Sequence, residues 1–294
     1  MRFYIVDVFA ETKYSGNQLA VFRDSGKLTG AQMQRIAQEM HYSETTFITS
    51  EKEHDGGYDV RVFTPEQELP FAGHPTLGTA YILQSEIIKK PVPQVNLNLK
   101  VGQIPVTFSY SRGKAGILWM KQKEPSFGRR FDPRPVADFL GLTESDLDER
   151  FPVMEVSTGF PFLIVPLKNL KAIQCIQLDR AKYLRFAEET ESKIILVFTR
   201  ETYRRENNLN VRVLIPSPAM PEDPATGSGN GCLAAYLVKH RFFGNDSVNA
   251  RVEQGYEIGR KSLLLLKAGR KGGKIEVNVG GRVQFIAEGE FPDG

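Results

Sequence analysis

Sliding the chain against itself exposes an internal repeat. Val60-Arg61-Val62 and Pro65 match Val211-Arg212-Val213 and Pro216 at an offset of 151 positions, and Pro70 matches Pro221 at the same offset. After a small insertion, Gly73-His74 faces Gly227-Ser228 at an offset of 154, and Ala80-Tyr81 faces Ala235-Tyr236 at 155. An offset near half of the 294 residues is what duplication of a single smaller domain leaves behind. Each half then reads as strand, proline-flanked loop, glycine turn and helix. Neither half carries the βαβ rhythm of a doubly wound parallel sheet, so mixed or antiparallel sheet around few helices is expected.

The opening segment, Phe3 to Phe9, is rich in β-branched and aromatic residues. After the turn-like Tyr14-Ser15-Gly16-Asn17 the pattern resumes over Leu19 to Phe22, giving two strands. Met33, Ile36, Ala37 and Met40 then fall at helical spacing behind Thr29, an available N-cap. Thr45 to Thr49 reads as a further strand, so Glu44 lies at a helix–strand junction, a rigid frame of the kind that presents functional side chains. Val60 to Phe63, Gln94 to Leu99, Pro105 to Tyr110, Ile117 to Met120, Ile194 to Phe198 and Val211 to Ile215 read as strands, with a short helix over Val136 to Leu140 begun after Pro135. The C-terminal stretch reads as a meander over Ser262 to Lys267, Lys274 to Val279 and Arg282 to Glu288, turned at Gly269, Gly272-Gly273 and Gly280-Gly281.

Composition narrows the class. Against 35 acidic residues stand 38 basic ones, scattered rather than gathered into a stripe, which argues against a nucleic-acid partner. Lys267, Arg270, Lys271 and Lys274 read as a solvated hairpin tip. The two cysteines, Cys175 and Cys232, build neither a disulfide framework nor a paired zinc motif, so a reducing, cytoplasmic setting is expected. Asp7 interrupts the apolar N-terminus, and no run approaches the ~18 apolar residues of a membrane span, so no membrane partner is expected.

Two glycine motifs stand at equivalent places in the repeat. Ala72-Gly73-His74-Pro75-Thr76-Leu77-Gly78 leads into an apolar helix over Thr79 to Ile82, and Thr226-Gly227-Ser228-Gly229-Asn230-Gly231 leads into Cys232 to Val238. Each is either a simple helix cap or an anion-binding helix start whose backbone N–H groups grip a carboxylate. Glu44, flanked by Tyr42, Thr45, Thr46 and Phe47, is either an exposed acid or one partly desolvated for proton transfer. Asp223-Pro224 is an ordinary turn dipeptide or a functional acid ahead of Ser228. His74 has no partner at a metal-ligand spacing, so no metal is expected. Cys232 reads as core, and neither a GxSxG elbow nor a dinucleotide or phosphate-loop motif is present.

Taken jointly, Ser43-Glu44-Thr45-Thr46-Phe47, Arg61-Val62-Phe63-Thr64-Pro65, Glu68-Leu69-Pro70-Phe71-Ala72-Gly73-His74-Pro75-Thr76-Leu77-Gly78 and Glu222-Asp223-Pro224-Ala225-Thr226-Gly227-Ser228-Gly229 resemble the PhzF-like phenazine-biosynthesis isomerases. Gly16-Asn17 with Ala20-Val21 is similar to that family's N-terminal signature. The resemblance implies an α+β fold of the diaminopimelate-epimerase type: two pseudo-symmetric domains, each a curved mixed β-sheet wrapped around a central helix, with the active site between them. The expected limits are 1–118 and 119–284, the last strand, about 285–294, returning to the first domain.

The resemblance further implies a cofactor-independent isomerase acting on a small carboxylate, with a dihydro-hydroxyanthranilate as model substrate. It assigns Glu44 as general acid/base and His74, Asp223 and Ser228 as its catalytic partners, with Asn17, Gly73, Gly227 and Gly229 binding substrate. Where related epimerases carry two cysteines, this chain has His74 and Ser228, which disfavours a two-thiol racemase because a serine hydroxyl lacks a thiol's accessible pKa. A cofactor-independent amino-acid racemase and a non-catalytic carboxylate-binding protein are the alternatives. A homodimer is expected from the fold type.

Overall fold

A computed structural model describes residues 1–111, 113–217 and 220–291. In chain order the first elements are β1 (Arg2–Val8), β2 (Asn17–Phe22), α1 (Gly30–Met40), β3 (Glu44–Ile48), β4 (Tyr58–Phe63), β5 (Glu68–Leu69), α2 (Gly73–Ile82), β6 (Gln94–Leu99), β7 (Gly102–Ser111) and β8 (Lys114–Lys121). There follow β9 (Ser126–Arg130), α3 (Pro133–Leu140), β10 (Met154–Ser157), β11 (Pro161–Pro166), α4 (Leu170–Cys175), α5 (Arg180–Ala187), β12 (Ile195–Thr199) and β13 (Leu209–Leu214). The last are β14 (Glu222–Asp223), α6 (Gly227–Lys239), β15 (Ser247–Gln254), β16 (Ser262–Lys271), β17 (Lys274–Gly281) and β18 (Val283–Glu290). They form two compact units, Met1–Lys121 with the chain from Gly280 onward, and Gln122–Val279.

In the first unit β1 pairs antiparallel with both β18 and β2, β2 runs parallel to β3, β3 antiparallel to β4, β4 parallel to β6, and β6, β7 and β8 antiparallel in turn. The sheet wraps around α2, which packs on β1, β2, β3, β6, β7 and β8 and buries every residue but Tyr81. A helix apolar all round must be enclosed on all sides, which explains its central place. On the outside, α1 is set by a Thr29–Gln32 capping box and a left-handed His41, and it lays Met33 and Ala37 over Ala20, Phe22, Phe47 and Phe63. Phe22 stacks between Phe3 and Phe47, with ring centroids 5.4 and 5.2 Å away.

The second unit repeats this plan. β10 pairs antiparallel with β9 and β11, β11 is parallel to β12, β12 antiparallel to β13, β13 parallel to β15, and β15 antiparallel to β16, with α6 packed on β10, β11, β15 and β16. Strand directions from β10 to β16 thus match those from β1 to β7. A second core lies outside this sheet, where Val136, Phe139 and Leu140 of α3, Ile173 of α4 and Tyr183 of α5 cover Leu163, Val165, Ile195 and Val197.

The ladders place the repeat register more finely than residue matching does. Phe63 faces Glu68 and Val62 faces Leu69, as Leu214 faces Glu222 and Val213 faces Asp223. Glu68-Leu69-Pro70 therefore corresponds to Glu222-Asp223-Pro224. The inserted residues lie in the loop before β14, Pro70 corresponds to Pro224 rather than Pro221, and along the helices Ala80 corresponds to Ala234 rather than Ala235. An Arg–Glu staple recurs with the register: Arg61 Nε and Nη2 each lie 2.8 Å from the Glu68 carboxylate, and Arg212 Nη2 lies 2.7 Å from Glu222.

Several local readings change. The two glycine motifs are the opening turns of α2 and α6 themselves, and the helices begin at Gly73 and Gly227. Pro75 is therefore the third helical residue, and Ser228 lies inside α6 while Thr226 holds the N-cap position. Gly78 and Gly229 serve close packing instead of turning, since a Cβ would lie 2.5 Å from Leu19 Cδ2 at the first and 3.0 Å from Phe162 at the second. Gly269 lies within β16, and Gly280 lies within β17, where a Cβ would meet the Trp119 ring at 2.6 Å. Gly272 and Gly273, at φ of 56° and 83°, do make the turn. The helix over Pro133–Leu140 starts three residues earlier than expected because Asp132 caps it through the Arg134 N–H. No described helix is long and apolar enough to cross a membrane.

Candidate active site

In the first unit the structure brings Glu44 and His74 together. β3 pairs in parallel with β2, placing Glu44 opposite Leu19 at the strand's start. His74 projects from the first turn of α2, and its Nε2 lies 3.5 Å from Glu44 Oε2 and 3.3 Å from the Gln18 carbonyl oxygen. The Glu44 side chain is 18% exposed and that of His74 5%, so the carboxylate keeps access to the outside while the imidazole does not. Burial pushes His74 down to about 3, against the opposing pull of the Gln18 carbonyl, so the ring is neutral at ordinary pH. The Gln18 carbonyl can only accept, which assigns the single ring proton to Nε2. Asn17, wholly buried, opens β2 opposite Val8, and Gly73 opens α2 beside His74.

The second unit places Asp223 on β14 and Gly227, Ser228 and Gly229 in the first turn of α6. Ser228 is the partly exposed member of that turn. Asp223 is buried and accepts a short hydrogen bond from the Thr226 hydroxyl. Gln254, at the end of β15, donates to the Asp223 carbonyl at 2.8 Å and to Thr226 Oγ1 at 3.0 Å. Sequence reading gave no role of their own to Thr226 and Asn230 of the second glycine motif, and it overlooked Gln18 and Gln254. Gln18 contributes only a main-chain carbonyl, which no side-chain pattern encodes. Gln254 is brought to Asp223 by the parallel β13–β15 pairing, far along the chain.

The helix starts differ from those elsewhere in the molecule. α1, α3, α4 and α5 each have an N-cap side chain, Thr29, Asp132, Asn169 and Asp179, bonded to a first-turn N–H. α2 and α6 do not: Ala72 has no polar side chain, and the Thr226 hydroxyl is committed to Asp223. The first-turn N–H groups at Gly73-His74 and Gly227-Ser228 thus receive no side-chain cap, and the positive end of each helix favours an anion there.

The repeat register also shows what each half lacks. His74 corresponds to Ser228, whereas Asp223 corresponds to Leu69. With Phe63 and Leu214 equivalent, Thr45 corresponds to Ile195, so Glu44 corresponds to Ile194. Each unit contributes one acid without a counterpart in the other. Cys232 lies in the core of α6, where burial pushes its thiol up to about 12, an inert group.

The phenazine biosynthesis-like (PhzC-PhzF) family model matches residues 6–289. The chain is similar to the trans-2,3-dihydro-3-hydroxyanthranilate isomerase of Pseudomonas aeruginosa, 32% identical over 289 residues and covering 98% of both chains. It is similar in structure to a phenazine biosynthesis protein of the PhzF family from Bacillus anthracis, with a TM-score of 0.91 and 26% identity over 100% of this chain and 99% of that one. A probable proline racemase from Agrobacterium radiobacter K84 shares the fold at a TM-score of 0.61 and 11% identity, over 99% of this chain and 92% of that one.

Proposed function

Because the chain belongs to the phenazine biosynthesis-like PhzC-PhzF family and is an isomerase of that type, we propose that it moves a proton between two carbons of one small conjugated carboxylate, with Glu44 as the carrier and no cofactor taking part. The observation that carries this reading is the Glu44–His74 pair: a partly exposed carboxylate 3.5 Å from a buried, neutral imidazole.

In the proposed reaction Glu44 removes a proton from a carbon beside an activating group, and the C–H electron pair passes into the conjugated system. The resulting dienolate-like anion takes the same proton back from Glu44 at a different carbon. His74 keeps its proton on Nε2, next to the Glu44 oxygen, and stabilises the ionised carboxylate without itself becoming charged. The uncapped N–H groups opening α2 hold the substrate carboxylate and the developing negative charge, and those opening α6 are a second anion-binding helix start. Asp223, like His74, holds an amino or hydroxyl substituent of the substrate, Ser228 is a further catalytic partner, and Asn17 binds substrate. A dihydro-hydroxyanthranilate, the compound for which the Pseudomonas relative is named, is the model substrate.

A two-base racemase is the less favoured reading. It calls for a proton-transfer group from each half, whereas Glu44 corresponds to Ile194 and His74 to Ser228. Glu44→Gln tests the assignment. Isomerisation of trans-2,3-dihydro-3-hydroxyanthranilate is expected to fall by about 10²–10⁴-fold, the range for loss of a general acid/base, with the urea midpoint little changed. A folded variant with full activity would overturn it.

A further inference from the structure

The bonds around Asp223 have only one consistent direction. The Thr226 carbonyl can only accept, so the Asn230 atom 3.1 Å from it is the amide nitrogen. The Thr226 backbone N–H can only donate, so the Gln254 atom 3.2 Å from it is the amide oxygen, which also accepts from Asn230 at 2.8 Å. The Asp223 carbonyl can only accept, so the other end of Gln254, at 2.8 Å, is its nitrogen. That nitrogen also donates to Thr226 Oγ1 at 3.0 Å. With its acceptor side engaged, the Thr226 hydroxyl has one proton, and it goes to Asp223 Oδ2.

The fold does not require this arrangement. Register equates Asp223, Thr226, Asn230 and Gln254 with Leu69, Ala72, Thr76 and Leu99 of the first unit. There the same strand, helix start and neighbouring strand carry three apolar residues, and only the bond from the fourth back to the helix opening is kept, from Thr76 Oγ1 to the Ala72 carbonyl at 2.7 Å. Burying a polar quartet where leucines suffice costs desolvation, which points to a role beyond stability.

Resting on the reading that Asp223 binds substrate, we propose that Gln254 and Thr226 are positioning residues: a one-way relay, Gln254 to Thr226 to Asp223, keeps Oδ2 an acceptor and fixes the carboxylate's rotamer.

Crystal structures and kinetics of Thr226→Val and Thr226→Ser test this. Valine keeps the shape and removes the relay; serine keeps the hydroxyl. In Thr226→Val the Asp223 carboxylate is expected to leave its present rotamer, with kcat for trans-2,3-dihydro-3-hydroxyanthranilate lowered at least about tenfold and KM within about threefold. Thr226→Ser is expected to restore both the rotamer and kcat. An unmoved Asp223 in Thr226→Val, or an unchanged kcat in a variant whose Asp223 has moved, overturns the relay. Asp223→Asn separates the two readings: full activity there refutes the substrate-binding role of Asp223, while the crystal structures still decide whether the relay sets its geometry.

Discussion

At Glu44 and His74 two titratable groups share one corner with opposite demands on solvent. The imidazole is enclosed, so protonating it inside the fold is costly, and its folded value of about 3 lies below the ordinary 6.5. Between those values the unfolded chain binds a proton that the folded chain refuses. His74 therefore contributes stability that is fully present above pH 6.5 and is lost as pH falls toward 3. At pH 4.5 the loss relative to pH 7 is about 2–3 kcal/mol, at ~1.4 kcal/mol per pH unit. His74→Gln is expected to flatten that part of the acid limb in urea titrations at the two pH values, leaving the similarly depressed His240 to act in both proteins. Equal acid limbs would contradict the neutral, buried assignment. The candidate acid itself was legible, because Glu44 stood at a helix–strand junction within a family-like motif. What the sequence could not convey was the neutral state of its neighbour, which depends on enclosure by elements distant along the chain.

At the level of elements, the Arg–Glu staples decide how firmly each helix start is held. Both tie a long strand to the two-residue strand that delivers the chain to the central helix, but their surroundings differ. Arg212 and Glu222 are 12% and 5% exposed, and burial raises the Glu222 carboxyl despite the arginine. Arg61 is 33% exposed, and Glu68, held down to about 2 by Arg61, keeps a second partner in Lys100 at 2.7 Å. Arg212→Met is therefore expected to cost about 3–5 kcal/mol in urea unfolding, because it strands a buried carboxylate. Arg61→Met is expected to cost about 1 kcal/mol or less. Comparable losses would mean that burial does not govern the staples. Strands with clear β-branched runs and the capped helix α1 could be read in advance. β15, which alternates Val248, Ala250 and Val252 inward, carried a period-two signal that was passed over, and α4 and α5 are short helices whose start signals are single residues, Asn169 and Asp179.

For the whole molecule, duplication supplied one fold twice and divergence distributed the chemistry. The repeat was visible in a handful of matched residues, but its register was not, because short matches tolerate a slip that hydrogen-bonded ladders do not. Only with the ladders in place does it emerge that Glu44 and Asp223 each correspond to an apolar residue, Ile194 and Leu69, of the other half. That asymmetry argues for one proton carrier. Isomerisation of trans-2,3-dihydro-3-hydroxyanthranilate carrying deuterium at the migrating position, run in light water and read by product NMR, tests this most directly. The account predicts that part of the deuterium appears at the new carbon, on the face from which it left. Solvent hydrogen delivered to the opposite face would contradict it, because that outcome requires a second base.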